Sequence, residues 1–296
     1  MKRTFGRVLL VLIFVSSAYA ADPNLTFHSR VNEVRLTLIA TDSQGRPWPG
    51  LAASSLAVAD EGRAISEFQL HSANDLPLQV GVLLDLSDST HGSWPAVRAA
   101  LTQSMEGLLR PSDQILMITF NSRIQTERVL AEAQELDESL PAPAGGLTAL
   151  YDTLYRACEH PLFSGDLEPH RSALILFSDG KDNMSYRGLA DAIASAQKSG
   201  IAIYTITLHK PHQWHRGDGV LHSMASATGG NDFVVSDVKG VQAALQTIHE
   251  ELRNSYLLYY RPSSGEIRGD FRRVEILPAR DAGLHLRTRS GYYAKP

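Results

Sequence analysis

The sequence predicts an α/β protein in which an open, doubly wound and mostly parallel sheet is inserted into a small antiparallel β-domain. Between about residues 78 and 253, continuous apolar runs alternate with helix-like stretches. Such runs are typical of strands that a parallel sheet buries on both faces. On either side of this region, apolar and polar residues alternate one by one, which indicates strands with one solvated face. The chain therefore predicts two kinds of sheet, one interrupting the other.

Four apolar runs in the middle of the chain predict the parallel strands, and five stretches predict the helices that cover them. Strands that alternate with helices are typical of a doubly wound sheet, because each crossover between parallel strands passes through a helix. We predict strands at residues 80–84, 115–118, 173–177 and 201–208, and helices at residues 96–109, 149–158, 189–198, 221–227 and 241–253.

The two ends of the chain read as short strands separated by turns. Val34, Leu36 and Leu38 alternate with Arg35 and Thr37, which is the period of a half-buried strand. Neither end has enough strands to bury a face by itself, so we expect the two ends to pair with each other. The predicted organisation is a β-domain built from residues 21–77 and 254–296, with the inserted domain at residues 78–253.

The first twenty residues have the order of a secretory signal peptide. Lys2, Arg3 and Arg7 precede an apolar run at 8–15, and small residues follow up to Ala20, where we expect cleavage. A membrane-spanning helix needs about 20 apolar residues, so we predict no membrane span. The protein is expected to be exported, either to the periplasm or out of the cell.

Composition excludes several classes of protein. The 296 residues carry 28 Lys and Arg against 32 Asp and Glu, a net charge of −4, whereas a dedicated nucleic-acid binder needs a clustered basic surface. Apolar residues make up 43% of the chain, which excludes whole-chain disorder. The single cysteine, Cys158, permits no intramolecular disulfide. We expect it to be a small buried residue, with intermolecular pairing as the alternative.

Oxygen-bearing side chains follow two of the predicted parallel strands. Asp85, Ser87 and Ser89 begin where the first strand ends, and Asp179 follows a later strand. Thr148 lies in a glycine-containing loop that opens a helix. Ligands of such sheets collect beyond the carboxyl ends of the strands, where the strand order reverses. We therefore expect these five residues to meet at one site.

Two carboxylates and three hydroxyls are hard oxygen donors. Such a set suits Mg²⁺, Ca²⁺ or Mn²⁺ and suits Zn²⁺ or Cu²⁺ poorly. The two aspartates only cancel the charge of a divalent ion, so the ion stays electrophilic and can accept a carboxylate from a partner. The alternative is that these residues only cap helices and make turns, which Asp and Ser do in many proteins.

The D-x-S-x-S spacing, a separated threonine and an aspartate after a later strand resemble the metal-ion-dependent adhesion site of von Willebrand factor A domains. The resemblance implies a Rossmann-like fold, a bound divalent cation with Mg²⁺ as the first choice, and binding of a protein ligand through an Asp or Glu carboxylate, without catalysis. It rests on Asp85, Ser87, Ser89, Thr148 and Asp179, and on the sequence segments at 148–152 and 177–183. It covers roughly residues 78–253, and the closing Gly291-Tyr292-Tyr293 is similar to that of bacterial secreted proteins related to this family.

Other functions are less well supported by the residues. A phosphate-transfer enzyme with an aspartate nucleophile needs a second acid two residues later, and position 87 is a serine. We therefore expect a non-enzymatic binding module, with a structural component of the cell envelope, or a Mg²⁺-dependent hydrolase, as alternatives. The oligomeric state stays open.

Two further motifs have a plain explanation. His209, His212 and His215 form a tract that could bind a metal, although a solvated loop is the simpler interpretation. Arg-Gly-Asp occurs at 216–218 and at 268–270, and both copies read as exposed turns rather than as adhesion ligands.

Overall fold

The computed structural model describes residues 33–104, 110–130, 135, 140–163, 170–209, 215–262, 269–279 and 283–294. The predicted signal peptide at 1–20 lies outside these described residues, as do residues 21–32 at the start of the predicted β-domain. Residues 32–296 form one compact unit. Among the described residues, no helix is long and apolar enough to cross a membrane.

The described chain alternates strands and helices in the middle and contains strands at both ends. The strands are β1 (Val34–Thr41), β2 (Leu56–Asp60), β3 (Arg63–Ile65), β4 (Phe68–Ser72), β5 (Leu78–Asp85), β6 (Gln114–Phe120), β7 (Ile124–Leu130), β8 (Arg171–Phe177), β9 (Ala202–Leu208), β10 (Asp232–Val235), β11 (Tyr256–Tyr260), β12 (Phe271–Pro278), β13 (His285–Arg287) and β14 (Gly291–Tyr293). The α-helices are α1 (Trp94–Ser104), α2 (Leu150–Cys158), α3 (Leu189–Ser199), α4 (Arg216–Thr228) and α5 (Val238–Arg253).

The central sheet has six strands in the order β10-β9-β8-β5-β6-β7. All neighbours are parallel except β6 and β7, which pair antiparallel. The chain runs outward from β5 in one direction and from β8 in the other. The order therefore reverses between β5 and β8, and their carboxyl ends form the switch point at which such sheets bind ligands. The predicted doubly wound, mostly parallel sheet is confirmed.

Helices cover both faces of this sheet, which explains why its strands are continuous apolar runs. Successive residues of β5 point to opposite faces, so that Val82 lies in one core and Leu83 in the other. The first core packs against α1 and α5, and the second packs against α2, α3 and α4. Nearly every residue of the four inner strands β5, β6, β8 and β9 is therefore buried whichever way it points, as the pattern predicted.

The two ends of the chain form a pair of four-stranded antiparallel sheets, ordered β13-β1-β11-β4 and β14-β12-β2-β3. Strand β1 pairs with β11, placing Val34 opposite Tyr260, and β2 pairs with β12. One apolar core contains residues from both sheets, including Leu36 and Ile276, so the β-domain is a small sandwich. The predicted pairing of the N- and C-terminal segments is confirmed, and the limits 21–77, 78–253 and 254–296 stay predictions.

Two arginines, one at the end of β13 and one between β13 and β14, connect the sandwich to the helices of the central domain. Arg289 donates from Nη1 to the carbonyl oxygen of Gln197 in α3 (2.6 Å) and from Nη2 to the carbonyl oxygen of Arg35 in β1 (2.9 Å). Arg287 donates to the carbonyl oxygen of Gly229, just after α4 (3.2 Å). Burial lowers the pKa of Arg289 to about 10.

Helix α4 begins earlier than the sequence predicts. It starts at Arg216, whereas the apolar pattern predicts a start at residue 221. The early start is fixed by Asp218, whose carboxylate accepts a hydrogen bond from the backbone N–H of His215 (2.8 Å). This acid in the first turn also suits the positive end of the helix dipole. The first Arg-Gly-Asp copy therefore forms the first turn of a helix, and its interpretation as an exposed turn is wrong.

Candidate metal centre

The first site loop leaves β5 at Asp85, whose side chain is buried. Its Oδ1 accepts a hydrogen bond from the backbone N–H of Ser87 (3.0 Å). The Thr90 hydroxyl donates to the carbonyl oxygens of Asp85 (2.7 Å) and Ser87 (3.0 Å), which fixes the turn. The Ser87 and Ser89 hydroxyl oxygens lie 3.4 Å apart. The Ser87 and Ser89 hydroxyls therefore lie on the same side of this loop, where a short 3-10 helix at Asp88–Ser93 begins.

Backbone hydrogen bonds join this first loop to the second, which contains the glycine pair before Thr148. The N–H of Asp88 donates to the carbonyl oxygen of Gly146 (3.0 Å), and the N–H of Gly145 donates to the carbonyl oxygen of Leu86 (2.9 Å). Gly145 and Gly146 both have positive φ angles, at 70° and 92°, which is a conformation that glycine adopts without strain. The glycine pair therefore lets the second loop lie against the first.

Asn183 joins the second loop to the third. Its side-chain oxygen accepts from the backbone N–H of Thr148 (2.8 Å), and its own backbone N–H donates to the carbonyl oxygen of Thr148 (3.0 Å). The third loop also contacts the first, because the Ser178 hydroxyl donates to Oδ2 of Asp85 (2.7 Å). Each of the three loops is thus hydrogen-bonded to the other two.

Asp179, the second predicted carboxylate, follows β8 by two residues. Its Oδ2 accepts a hydrogen bond from the ammonium group of Lys181 (2.7 Å). Asp85, Ser89 and Asp179 together line a cavity of about 30 Å³, which is room for an ion or a water molecule. Burial raises the pKa of Asp85, and the nearby charge of Asp179 adds to this effect.

Several residues that fix the site were not identified from the sequence. Ser178 and Asn183 lie inside the segment at 177–183 on which the family resemblance rests, but the sequence predicts no contact for either. Asn121, directly after β6, donates from its side chain to the carbonyl oxygen of Gly145 (2.8 Å). Gly217 packs its Cα against the backbone of Asp179 and Gly180. The sequence pointed only to Ser178 and Asn183, through the segment at 177–183, and gave no indication of Asn121 or Gly217.

Two aspartates near the site were left out of the predicted ligands. Asp182 accepts hydrogen bonds from the backbone N–H of Tyr151 (3.1 Å) and from the backbone N–H (3.2 Å) and hydroxyl (2.5 Å) of Ser185. It therefore holds the start of α2 against the third loop. Asp88 contributes its backbone N–H to the second loop, and it is exposed.

The histidine tract is only partly within the described residues, since His212 lies outside them. Nε2 of His209 lies 2.9 Å from Oδ1 of Asp218, and the ring of His215 lies 4.3 Å from the ring of His209. Within the part of the chain that the structure describes, no group of three or more His, Cys, Asp or Glu side chains could hold a metal ion. The candidate centre at Asp85 is of a different kind, because three of its five oxygen donors are hydroxyls.

Comparison with known proteins identifies the family. The model of the von Willebrand factor type A domain matches residues 79–250, more than half of the chain. The chain belongs to this family. No curated protein matches the chain significantly.

Solved structures of this and similar domains share the fold. Proximal thread matrix protein 1 from the mussel byssus matches with a TM-score of 0.50 and 13% identity, over 74% of this chain and 50% of that one. This chain therefore spans about half the length of the mussel protein. A second structure of that protein, described with a zinc-occupied MIDAS motif, matches with a TM-score of 0.44 and 15% identity, over 60% of this chain and 48% of that one.

A bacterial domain of the same family gives a similar match. The von Willebrand factor type A protein from Catenulispora acidiphila matches with a TM-score of 0.47 and 14% identity, over 92% of this chain and 76% of that one. Of these matches, the one with a TM-score of 0.50 shows the fold.

Von Willebrand factor A domains bind a divalent metal ion at a metal-ion-dependent adhesion site, and the residues present here fit such a group. The Asp85 carboxylate is buried, and its hydrogen bonds come from neutral groups, namely the amide of Ser87 and the hydroxyl of Ser178. A buried carboxylate without a cation is costly, and a divalent ion in the adjoining cavity would offset that cost. The ligand roles of Asp85, Ser87, Ser89, Thr148 and Asp179 stay predictions.

Proposed function

We propose that this chain is an exported protein-binding module whose binding depends on a divalent cation. Asp85, Ser87, Ser89, Thr148 and Asp179 would hold the ion, with Mg²⁺ as the first choice and Ca²⁺ or Mn²⁺ as alternatives. The observation that carries the proposal is the mutual hydrogen bonding of the three loops. This bonding joins the three loops that carry the two carboxylates and the three hydroxyls.

When bound, the ion would act as an electrophile that accepts a carboxylate oxygen from a partner protein. The chain's own residues favour this use because they supply little negative charge. Asp85 and Asp179 are the two anions of the proposed set, and Lys181 already neutralises part of the charge on Asp179. The hydroxyls of Ser87, Ser89 and Thr148 are neutral donors. A partner carrying Asp or Glu would complete the charge balance of the site.

We also propose that the protein is not an enzyme. The residue two positions after Asp85 is Ser87, which cannot replace the acid that an aspartate-based phosphate-transfer site needs. Export follows from the proposed signal peptide at residues 1–20 and fits a function outside the cytoplasm. A structural role in the cell envelope is the alternative, and its assembly would not respond to a chelator.

Isothermal titration calorimetry of the purified chain with Mg²⁺, Ca²⁺, Mn²⁺ and Zn²⁺ tests the metal site. We expect binding of at least one of the hard ions and loss of that binding in Asp85→Asn. Glu275→Gln is a matched control, because it removes an exposed charge on β12 in the sandwich. Equal metal binding by Asp85→Asn and the wild type would contradict the proposed site.

Capture of partners from a cell-envelope extract, with Mg²⁺ or with EDTA, tests the proposed protein binding. We expect capture by the wild type only when the metal is present, and no capture by Asp85→Asn. Capture that ignores both EDTA and this substitution would favour the structural role.

A further inference from the structure

Large apolar side chains are exposed on the loops that surround the proposed metal site. Leu147 precedes Thr148 and is 52% exposed, while Met184 is 43% and Tyr186 is 99% exposed on the third loop. Large apolar side chains with this degree of exposure are few among the described residues, and these three come from two loops that are hydrogen-bonded to each other. The others are distributed over three strands, β7, β10 and β12, and they are Val129, Val234, Phe271 and Leu277.

The backbone that carries these side chains is held in place. The N–H of Met184 donates to the carbonyl oxygen of Thr148 (3.0 Å), which ties Met184 to the residue after Leu147. The N–H groups of Tyr186 and Arg187 donate to the two carboxylate oxygens of Asp152 in α2 (3.0 and 3.1 Å). The exposure of the three side chains is therefore a property of a fixed surface. Such a surface loses little conformational entropy when it binds.

Basic side chains lie on the same loop. Lys181 is largely exposed and pairs with Asp179, and Arg187 stacks over the ring of Tyr155, with its guanidinium carbon 3.9 Å from the ring centroid. Arg187 also pairs with Asp152, although about half of its side chain is exposed. Cationic groups next to apolar ones complement a partner that carries both a negative charge and an apolar side chain.

We propose that Leu147, Met184 and Tyr186, here called the apolar collar, form the docking surface for a protein segment in which an Asp or Glu stands next to a large apolar residue. The proposal rests on the proposed function, because the carboxylate of that segment would reach the metal ion. The apolar neighbour would pack on the collar. The collar would thus decide which acidic segments bind, while the metal would require only that the segment be acidic.

The physical reason is that a single carboxylate on a solvated ion is a weak and unselective contact. Burial of apolar surface adds affinity in proportion to the area removed from water. It also discriminates between acidic residues by their neighbours.

Fluorescence anisotropy with synthetic peptides tests the collar on the full chain in Mg²⁺. The probe is a labelled, capped peptide with the sequence Gly-Ser-Asp-Phe-Gly-Ser, and two comparison peptides replace Asp by Asn or Phe by Ser. We expect the Asp-Phe peptide to bind at least about tenfold more tightly than the Asp-Ser peptide, the ratio for roughly 60 Å² of buried apolar surface. The Asn-Phe peptide should not bind, and EDTA should abolish binding of the Asp-Phe and Asp-Ser peptides.

Substitutions in the collar should remove the preference and leave the metal site intact. In the variant Leu147→Ser/Met184→Ser/Tyr186→Ser, we expect the Asp-Phe and Asp-Ser peptides to bind equally and the Mg²⁺ affinity to stay that of the wild type. Leu277→Ser is the matched control, because Leu277 is 59% exposed on β12 of the sandwich. It should retain the full preference for the Asp-Phe peptide.

The outcomes separate failure of the collar from failure of the metal site. Normal Mg²⁺ binding with no preference between the Asp-Phe and Asp-Ser peptides would overturn the collar and leave the proposed function in place. Absence of binding of Mg²⁺, Ca²⁺ and Mn²⁺ alike would overturn the proposed function and the collar with it. An unchanged preference in the triple variant would overturn the assignment to these three residues.

A second copy of the chain is the competing occupant. Among the exposed large apolar residues described above, Phe271 is the one with an acidic neighbour, Asp270, and both are exposed. Sedimentation velocity in Mg²⁺ and in EDTA measures self-association directly. We expect a monomer in both conditions. Mg²⁺-dependent association that Asp270→Asn abolishes would show that the collar binds its own chain, and it would overturn the assignment to a different protein.

Discussion

Replacement of Gly217 by alanine should weaken metal binding, although Gly217 belongs to none of the three site loops. A Cβ at this position would lie 1.8 Å from the carbonyl oxygen of Asp179, whereas ordinary contact begins at 3.4 Å. The third loop must therefore move away by about 1.6 Å, the difference between the two distances. Hard divalent ions bind oxygens at about 2.0–2.6 Å, so a shift of this size would remove Asp179 from its proposed ligand position.

We expect the Mg²⁺ affinity of Gly217→Ala to fall by about 10- to 100-fold, the usual effect of disturbing groups that orient metal ligands. The free energy of unfolding in EDTA should fall by about 1–3 kcal/mol, as for other overpacked sites. Titration calorimetry and urea unfolding measure the two effects. Gly92→Ala is the control, because it lies near the first loop and a Cβ there meets no atom within 4 Å. Wild-type affinity in Gly217→Ala would refute the reasoning.

Three further perturbations test other parts of the structure. Asn183→Ala removes the acceptor for the N–H of Thr148, so we expect the free energy of unfolding in urea to fall by about 1 kcal/mol and calorimetry to show weaker Mg²⁺ binding. Unchanged values would mean that this hydrogen bond does not hold the second loop. Burial raises the pKa of Cys158 to about 12 from 9.0, so the folded thiol should not react with Ellman's reagent at pH 8, and a fast reaction of the native protein would contradict this burial. The stability that the buried, neutral thiol contributes should be lost as the pH rises from about 9 toward 12, because the thiol of the unfolded chain releases its proton first. Arg289→Leu leaves the carbonyl groups of Gln197 and Arg35 without this donor, so the free energy of unfolding, measured with heat and urea, should fall by about 2–4 kcal/mol while the Mg²⁺ affinity stays unchanged. A variant as stable as the wild type would exclude Arg289 as a link between the two domains.

The central sheet could be predicted from the sequence because the burial of each inner strand is visible in the residues of that strand alone. A strand buried on both faces needs an unbroken apolar run, and β5 and β8 have one. Strand β7 was missed because it lies at the edge of the sheet and is largely exposed, so it carries neither a continuous nor an alternating pattern. The division of the β-domain into two sheets was also missed. Pairs such as Val34 with Tyr260 join residues far apart in the chain, and the pattern of a single strand does not say which strand pairs with it.

The candidate site residues could be proposed from the sequence because each follows a strand or precedes a helix, and parallel strands bring such ends to one edge. The contacts that hold the loops together depend on the register between loops, which spacing alone does not encode. Gly217 shows the limit most clearly. Its role depends on where α4 begins, and the start is set by Asp218, with a histidine, His215, in place of the usual capping serine or threonine. A pattern search therefore places the helix start five residues too late, and Gly217 outside the helix.

A crystal structure of the chain grown in Mn²⁺, with the anomalous signal of the metal recorded, tests the proposed metal centre most directly. We expect one strong anomalous peak in the cavity lined by Asp85, Ser89 and Asp179, within bonding distance of oxygen atoms from all three loops. A well-ordered site at millimolar Mn²⁺ with no peak in that cavity would contradict the proposed metal centre and the function built on it.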